Sequence, residues 1–144
     1  MNRPADTTTN CLRCSGVELT RLPESSEEIT FFECPSCHRH YARRPGHSLT
    51  YRWLHPVSLA LYRILFNQEP LSAAPFVADE LMRGRSRDAS LKMIEEIEWE
   101  LKRPTQNVRE ILDNPQSEDE CREFLQAVVT YIRAHDHYPD RTDS

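Results

Sequence analysis

The sequence predicts an α+β protein in which a three-stranded, metal-stapled N-terminal lobe precedes a small all-α helical bundle. Three observations carry this expectation. Two CxxC pairs, Cys11/Cys14 and Cys34/Cys37, stand 19 residues apart. The residues between and just after them alternate or favour extended structure. After Pro45 and Gly46 the pattern changes, and apolar residues recur at helical spacing. A chain of 144 residues is long enough for such a lobe plus a modest helical core.

The elements follow in order. Residues 1–10 are polar and are expected to be a disordered tail. CLRCSG from Cys11 forms a tight knuckle, with Gly16 free to take a positive φ. VELTRL (17–22) alternates apolar and polar side chains, as a strand does. PESSEE (23–28) is a polar turn. ITFFEC (29–34) is β-branched and aromatic and returns to the second knuckle, CPSC. HRHYAR supplies a third strand, completing a lobe over 11–45.

The helical part is expected over 55–135. HPVSLALYRILF (55–66) places Val57, Leu61, Ile64 and Leu65 at helical spacing, and Pro56 suits a first turn. Pro70 and Pro75 are expected to bracket a loop before a short helix in FVADELMRG that Gly84 closes. DASLKMIEEIEWELKR (88–103) carries Leu91, Ile94, Ile97 and Leu101 on one side, with Asp88 or Ser90 as the cap. QNVREILDN (106–114) is a further short helix before Pro115. Ser117-Glu118-Asp119-Glu120 is a capping box, and Cys121, Phe124, Leu125, Val128 and Ile132 then form a core-facing stripe. Residues 136–144 are expected to be a second disordered tail.

Two CxxC pairs at this separation point to a shared metal ion. Each pair turns tightly and aims two sulfurs at one point, and the intervening residues suffice for a hairpin that brings the turns together. Zn²⁺ accepts four thiolates in a tetrahedron, and that set leaves no open coordination position. Cys11, Cys14, Cys34 and Cys37 therefore specify one structural ion, with zinc expected and iron also compatible with tetrahedral sulfur. Its binding would fold the lobe, contributing on the order of 10 kcal/mol. A single redox CxxC belongs at a helix start in a βαβ setting, whereas these pairs flank a hairpin pattern. No apolar run long enough for a membrane helix or a secretory signal is visible, so a reducing cytoplasmic setting is expected, which favours metal thiolates over disulfides.

Charge is unevenly distributed. Residues 1–66 carry a net +2 and residues 67–144 a net −7. No acid occurs between Glu33 and Glu69, a window holding Arg39, Arg43, Arg44 and Arg52 interleaved with Tyr41, Tyr51 and Trp53. Arginine forks bind phosphate and aromatic rings stack on bases, so Arg39, Tyr41, Arg43, Arg44, Arg52 and Trp53 are the candidate contact surface for another protein or for nucleic acid. The competing and favoured reading is that these side chains cover the junction between lobe and helices and pair with the acidic half. Cys121 reads as a core residue. His38 and His40 follow the second knuckle, but four cysteines leave them no place on the ion. His55 reads as a helix entry, and His135 and His137 as part of a fraying end. Glu95, Glu96, Glu98 and Glu100 are expected on the solvated side of their helix, and Trp99 off the main stripe. No Walker loop, nucleophile elbow, HExxH or Rossmann glycine pattern is present, so no enzyme and no small-molecule substrate is expected.

The first 43 residues, with CLRC and CPSCHRHYAR, resemble a zinc ribbon, a superfamily used in transcription, translation and protein interaction. One departure is that His38 stands where many such knuckles have glycine. YARRPGHSLTYRWLHPVSLALYRILF resembles small uncharacterised bacterial proteins that join a ribbon to a helical tail. ELKRPTQNVREILDNPQSEDECREFLQAVVTYI is similar to helical bacterial immunity proteins, which would imply a toxin as partner. The expected function is thus a non-enzymatic, zinc-binding interaction or regulatory module, with a nucleic-acid-binding ribbon and a toxin-neutralising protein as the alternatives.

Overall fold

A computed structural model describes residues 9–67 and 69–135. The expected tails fall largely outside this range, at 1–8 and 136–144. Thr9 and Asn10, however, pair with the chain near Glu18, where the Leu19 N–H donates to the Thr9 carbonyl at 2.7 Å.

The sheet has four antiparallel strands in sequential order, and not three: β1 (Thr20–Arg21), β2 (Thr30–Glu33), β3 (His40–Arg43) and β4 (Thr50–Tyr51). The additional strand arises because Pro45-Gly46 makes a turn rather than a boundary. Gly46 takes φ +79, the His47 N–H reaches the Arg44 carbonyl at 2.9 Å, and the β-branched and aromatic pair Thr50-Tyr51 returns along β3. The first expected strand is reduced to two residues.

Register decides what each sheet face carries. Phe32 lies opposite Tyr41, and Tyr41 opposite Tyr51, so these three buried rings line one face. Phe31 opposes Ala42, and Glu33 opposes His40, on the other face.

Among the described residues five helices follow: α1 (Pro56–Tyr62), α2 (Pro70–Met82), α3 (Arg87–Lys102), α4 (Arg109–Leu112) and α5 (Glu118–His135). In α1, Pro56 occupies the first turn and the His55 ring accepts from the Val57 N–H at 3.1 Å. The expected loop at 70–75 is helix instead. Pro70 sits in its first turn and Pro75 lies inside it, where the ring removes a single N–H bond, to the Leu71 carbonyl. Burial of Ala74, Val77, Ala78, Leu81 and Met82 against α5 outweighs that loss. The α3 cap is Ser86, whose hydroxyl accepts from the Ala89 N–H at 3.1 Å, and not Asp88 or Ser90. Ser90 is fully buried. The capping box of α5 forms as the sequence predicts, with reciprocal Ser117–Glu120 bonds of 2.9 and 3.1 Å. Cys121, Phe124, Leu125, Val128 and Ile132 are all fully buried on its inner face.

One continuous apolar cluster runs from Cys11, Leu19, Phe32 and Tyr41 through α1 and α2 to Phe124 and Ile132. Sheet and helices therefore share a core. No helix among the described residues is long and apolar enough to cross a membrane.

Candidate metal centre

The Sγ atoms of Cys11, Cys14, Cys34 and Cys37 all lie within 4.8 Å of one another, and Cys11 and Cys37 are 3.8 Å apart. A tetrahedron with Zn–S bonds of about 2.3 Å has sulfur–sulfur edges of about 3.8 Å, so the donor set fits a four-coordinate ion. Each knuckle is built by its own backbone. Arg13 and Cys14 N–H groups donate to Cys11 Sγ, both at 3.3 Å, and Ser36 and Cys37 N–H groups donate to Cys34 Sγ at 3.3 and 3.4 Å. Such bonds favour thiolate over thiol. Cys11 and Cys34 are buried, while Cys14 and Cys37 are partly exposed.

The second knuckle closes through His38 at φ +63, with its N–H on the Cys34 carbonyl at 2.9 Å. The turn that glycine would make without strain is thus made by histidine in the left-handed region. Its ring does not join the sulfurs. It is 72% exposed, and its Nδ1 lies 3.3 Å from Glu33 Oε2.

Electrostatics around the sulfurs are unequal. Burial opposes ionisation of Cys11, but the Tyr41 hydroxyl at 3.3 Å and the knuckle N–H groups outweigh it and bring the thiol down to about 7. Cys14 is pushed up to about 12, chiefly by its hydrogen bond with Cys37 and then by burial. Four sulfurs this close share protons until a dication displaces them. Cys121 is remote from this group in role. Burial pushes its thiol up to about 12, which keeps it an inert core residue.

Behind the centre a polar and aromatic relay ties sheet to helices. The Tyr41 ring stacks on Tyr51 (centroids 5.8 Å apart), and Tyr51 stacks on His55 at 3.6 Å, nearly parallel. Tyr51 Oη donates to Glu100 Oε1 at 2.8 Å. Glu100, fully buried on α3, also accepts from the Thr105 backbone N–H (2.9 Å), the Thr105 hydroxyl (2.7 Å) and Arg122 Nη2 (3.1 Å). Glu96, one turn earlier, accepts from Arg13 of the first knuckle at 3.2 Å, from Arg39 after the second at 2.9 Å, and pairs with His55 Nε2 at 3.0 Å. Because His55 Nδ1 accepts from the Val57 N–H, its ring proton sits on Nε2, facing Glu96.

The expectation of a solvated carboxylate face on α3 is therefore overturned for Glu96 and Glu100. Their partners lie more than forty residues away in the cases of His55 and Tyr51, which helical periodicity does not report. Trp99 is partly buried, with Arg13 4.0 Å from its ring centroid.

The candidate contact residues divide. Tyr41 has no exposed surface. Arg39 pairs with Glu96, and Arg44 reaches Asp113 at 2.7 Å and the Glu110 carbonyl at 2.8 Å. Arg52 reaches Glu24 at 2.8 Å and lies 3.8 Å over Phe31, and Arg43 lies over Phe32. Arg39 and Arg44 thus match the reading of junction arginines paired with the acidic half, whereas Arg52 pairs with Glu24 of the sheet lobe and Arg43 lies over a ring of the sheet. Trp53 stands apart at 62% exposed, beside Leu54 at 69%. The two border a hollow of about 400 Å³ with Arg39, His40, Arg52 and His55. No protein-family profile, curated protein or solved structure matches the chain.

Proposed function

We propose that the protein is a non-enzymatic module of the zinc-ribbon type, in which one structural zinc ion held by Cys11, Cys14, Cys34 and Cys37 shapes a surface for another protein. Zinc is the ion of this reading because four thiolates in a closed tetrahedron are its usual structural donor set, and metal analysis of the purified protein separates it from iron, which accepts the same sulfurs. A closed site offers no water or substrate position, so its contribution is to folding.

The observation that carries the interaction reading is the exposure of Trp53 and Leu54 on the turn between β4 and α1. An aromatic and an aliphatic side chain left this open, beside a hollow rimmed by arginine and histidine, have the composition of an interface anchor. The turn is held rigidly by neighbours: Ser58 Oγ donates to the Arg52 carbonyl at 3.0 Å, and the His55 N–H donates to the same carbonyl at 3.0 Å. A rigid apolar turn loses little entropy on docking.

Affinity purification with the full chain and with Trp53→Ala/Leu54→Ala tests this. A partner retained by the first and lost by the second, with zinc content unchanged, is the expected result. Retention of the same partners by the double variant would overturn it. Nucleic acid bound by the full chain at low salt, with an affinity that falls steeply as salt is raised, would instead favour the nucleic-acid alternative.

A further inference from the structure

We propose that Glu96 is a positioning residue through which metal occupancy sets the geometry of the Trp53–Leu54 turn. The inference deepens the docking reading above, and it rests on that reading and on the four-sulfur ion.

One carboxylate oxygen carries the connection. Glu96 Oε1 accepts from Arg13 Nη1 at 3.2 Å, from Arg39 Nε at 2.9 Å and from His55 Nε2 at 3.0 Å. Arg39 Nη2 adds a bond to Oε2. Three segments well separated in sequence therefore meet at a single atom on α3.

Two of the three are bonded to the metal ligands. The Arg13 N–H donates to Cys11 Sγ at 3.3 Å, and the Arg39 carbonyl accepts from the Cys34 N–H at 3.0 Å. Each knuckle thus fixes the backbone from which its arginine reaches Glu96. An ion that draws the four sulfurs together holds both arginines in place at once.

The third belongs to the turn. His55 directly follows Trp53 and Leu54, its N–H closes the turn on the Arg52 carbonyl at 3.0 Å, and its Nδ1 caps α1 at Val57. The imidazole is buried and lies flat on Tyr51 at 3.6 Å, so its orientation is fixed with Nε2 toward Glu96. The exposed Trp53 and Leu54 side chains contribute little packing, and the turn is placed by the bonds at its ends. Coupling of this kind is reciprocal: an ion that orders the turn is held more tightly, by the same factor, when the turn is ordered. Zinc affinity therefore reports the coupling without any partner.

The test is a double-mutant cycle on the full chain, with zinc affinity read by competition against a chromophoric chelator. Glu96→Ala and His55→Asn, the second of which keeps a short cap acceptor, are each expected to weaken zinc binding about threefold or more, and the double variant no more than the weaker-binding single one. Ile132→Val trims the distant core of α5 and gauges general loss of stability; it is expected to leave zinc affinity unchanged. In the zinc-loaded proteins the His55 amide should exchange faster in Glu96→Ala than in the wild type. Additive losses, unchanged affinity in both single variants, an equal loss in Ile132→Val, or unaltered exchange of the His55 amide would overturn the proposal. Purification with Trp53→Ala/Leu54→Ala tests the docking reading separately, so its failure leaves these affinities standing and their failure leaves docking intact.

Discussion

The Tyr41 hydroxyl lies 3.3 Å from Cys11 Sγ while the Tyr41 ring stacks on Tyr51. The metal centre and the shared core are thereby joined through one fully buried side chain. Tyr41→Phe keeps the ring and removes the hydroxyl. Loss of one outer-shell hydrogen bond to a ligand should lower metal affinity roughly tenfold, read by competition with a chromophoric chelator. Unchanged affinity would show that the hydroxyl does not stabilise the thiolate.

Cys34→Ser removes a buried ligand. The variant is expected to lose the structural ion and the ordered sheet, seen as loss of dispersed amide signals from 11–51. Because Tyr41, Tyr51 and Phe32 belong to the same cluster as α1 and α5, the helices should also lose stability and unfold at lower denaturant. A well-folded Cys34→Ser protein with full metal content would contradict the assignment.

Glu100 is a buried charge with four protein donors. Glu100→Ala leaves Arg122 and the Tyr51 hydroxyl without that acceptor, and removal of one partner from such a network costs roughly 3–5 kcal/mol. Chemical denaturation should register this. A cost below about 1 kcal/mol would place Glu100 with ordinary surface carboxylates.

Acid should destabilise the protein in two stages. Burial holds the His55 imidazole below its usual range although Glu96 pulls the other way. Burial works against the Glu96 carboxylate, but His55 and Arg39 outweigh it and hold the carboxyl below its usual range. Both groups bind fewer protons folded than unfolded, so each contributes stability above its unfolded value and loses it as pH falls. His55 acts from about pH 6.5 downward and Glu96 from about pH 4.3 downward. His55→Asn, which keeps a short cap acceptor, should flatten the limb between about pH 7 and 5. Proton competition at the thiolates is common to both proteins, so the difference between their denaturation midpoints isolates His55. Identical slopes would refute this coupling.

His38→Gly should stabilise the zinc-loaded protein by about 1 kcal/mol, since the left-handed conformation ceases to be strained. The gain in unfolded-state entropy opposes part of it. Urea unfolding at saturating metal measures the balance, and a clear destabilisation would mean that the His38–Glu33 contact outweighs the strain.

The four-cysteine cluster could be read directly, because CxxC geometry is local and the separation matches a hairpin. The α5 cap and stripe were equally local. Pro75 misleads because a helix tolerates one missing N–H when its face is well buried, and burial is not local. The brief β4 was hidden by Pro45-Gly46, which signals a turn without saying that a strand follows. Glu96 and Glu100 were hardest. Their periodicity assigns them to water, and only the folded positions of Arg13, Arg39, Tyr51 and Arg122 reveal why they are drawn inward.

X-ray absorption on protein carrying one zinc per chain tests the central claim most directly. Four sulfur scatterers at about 2.3 Å are expected. Nitrogen or oxygen in that first shell, or a fully folded protein that holds no metal, would contradict a closed cysteine clamp.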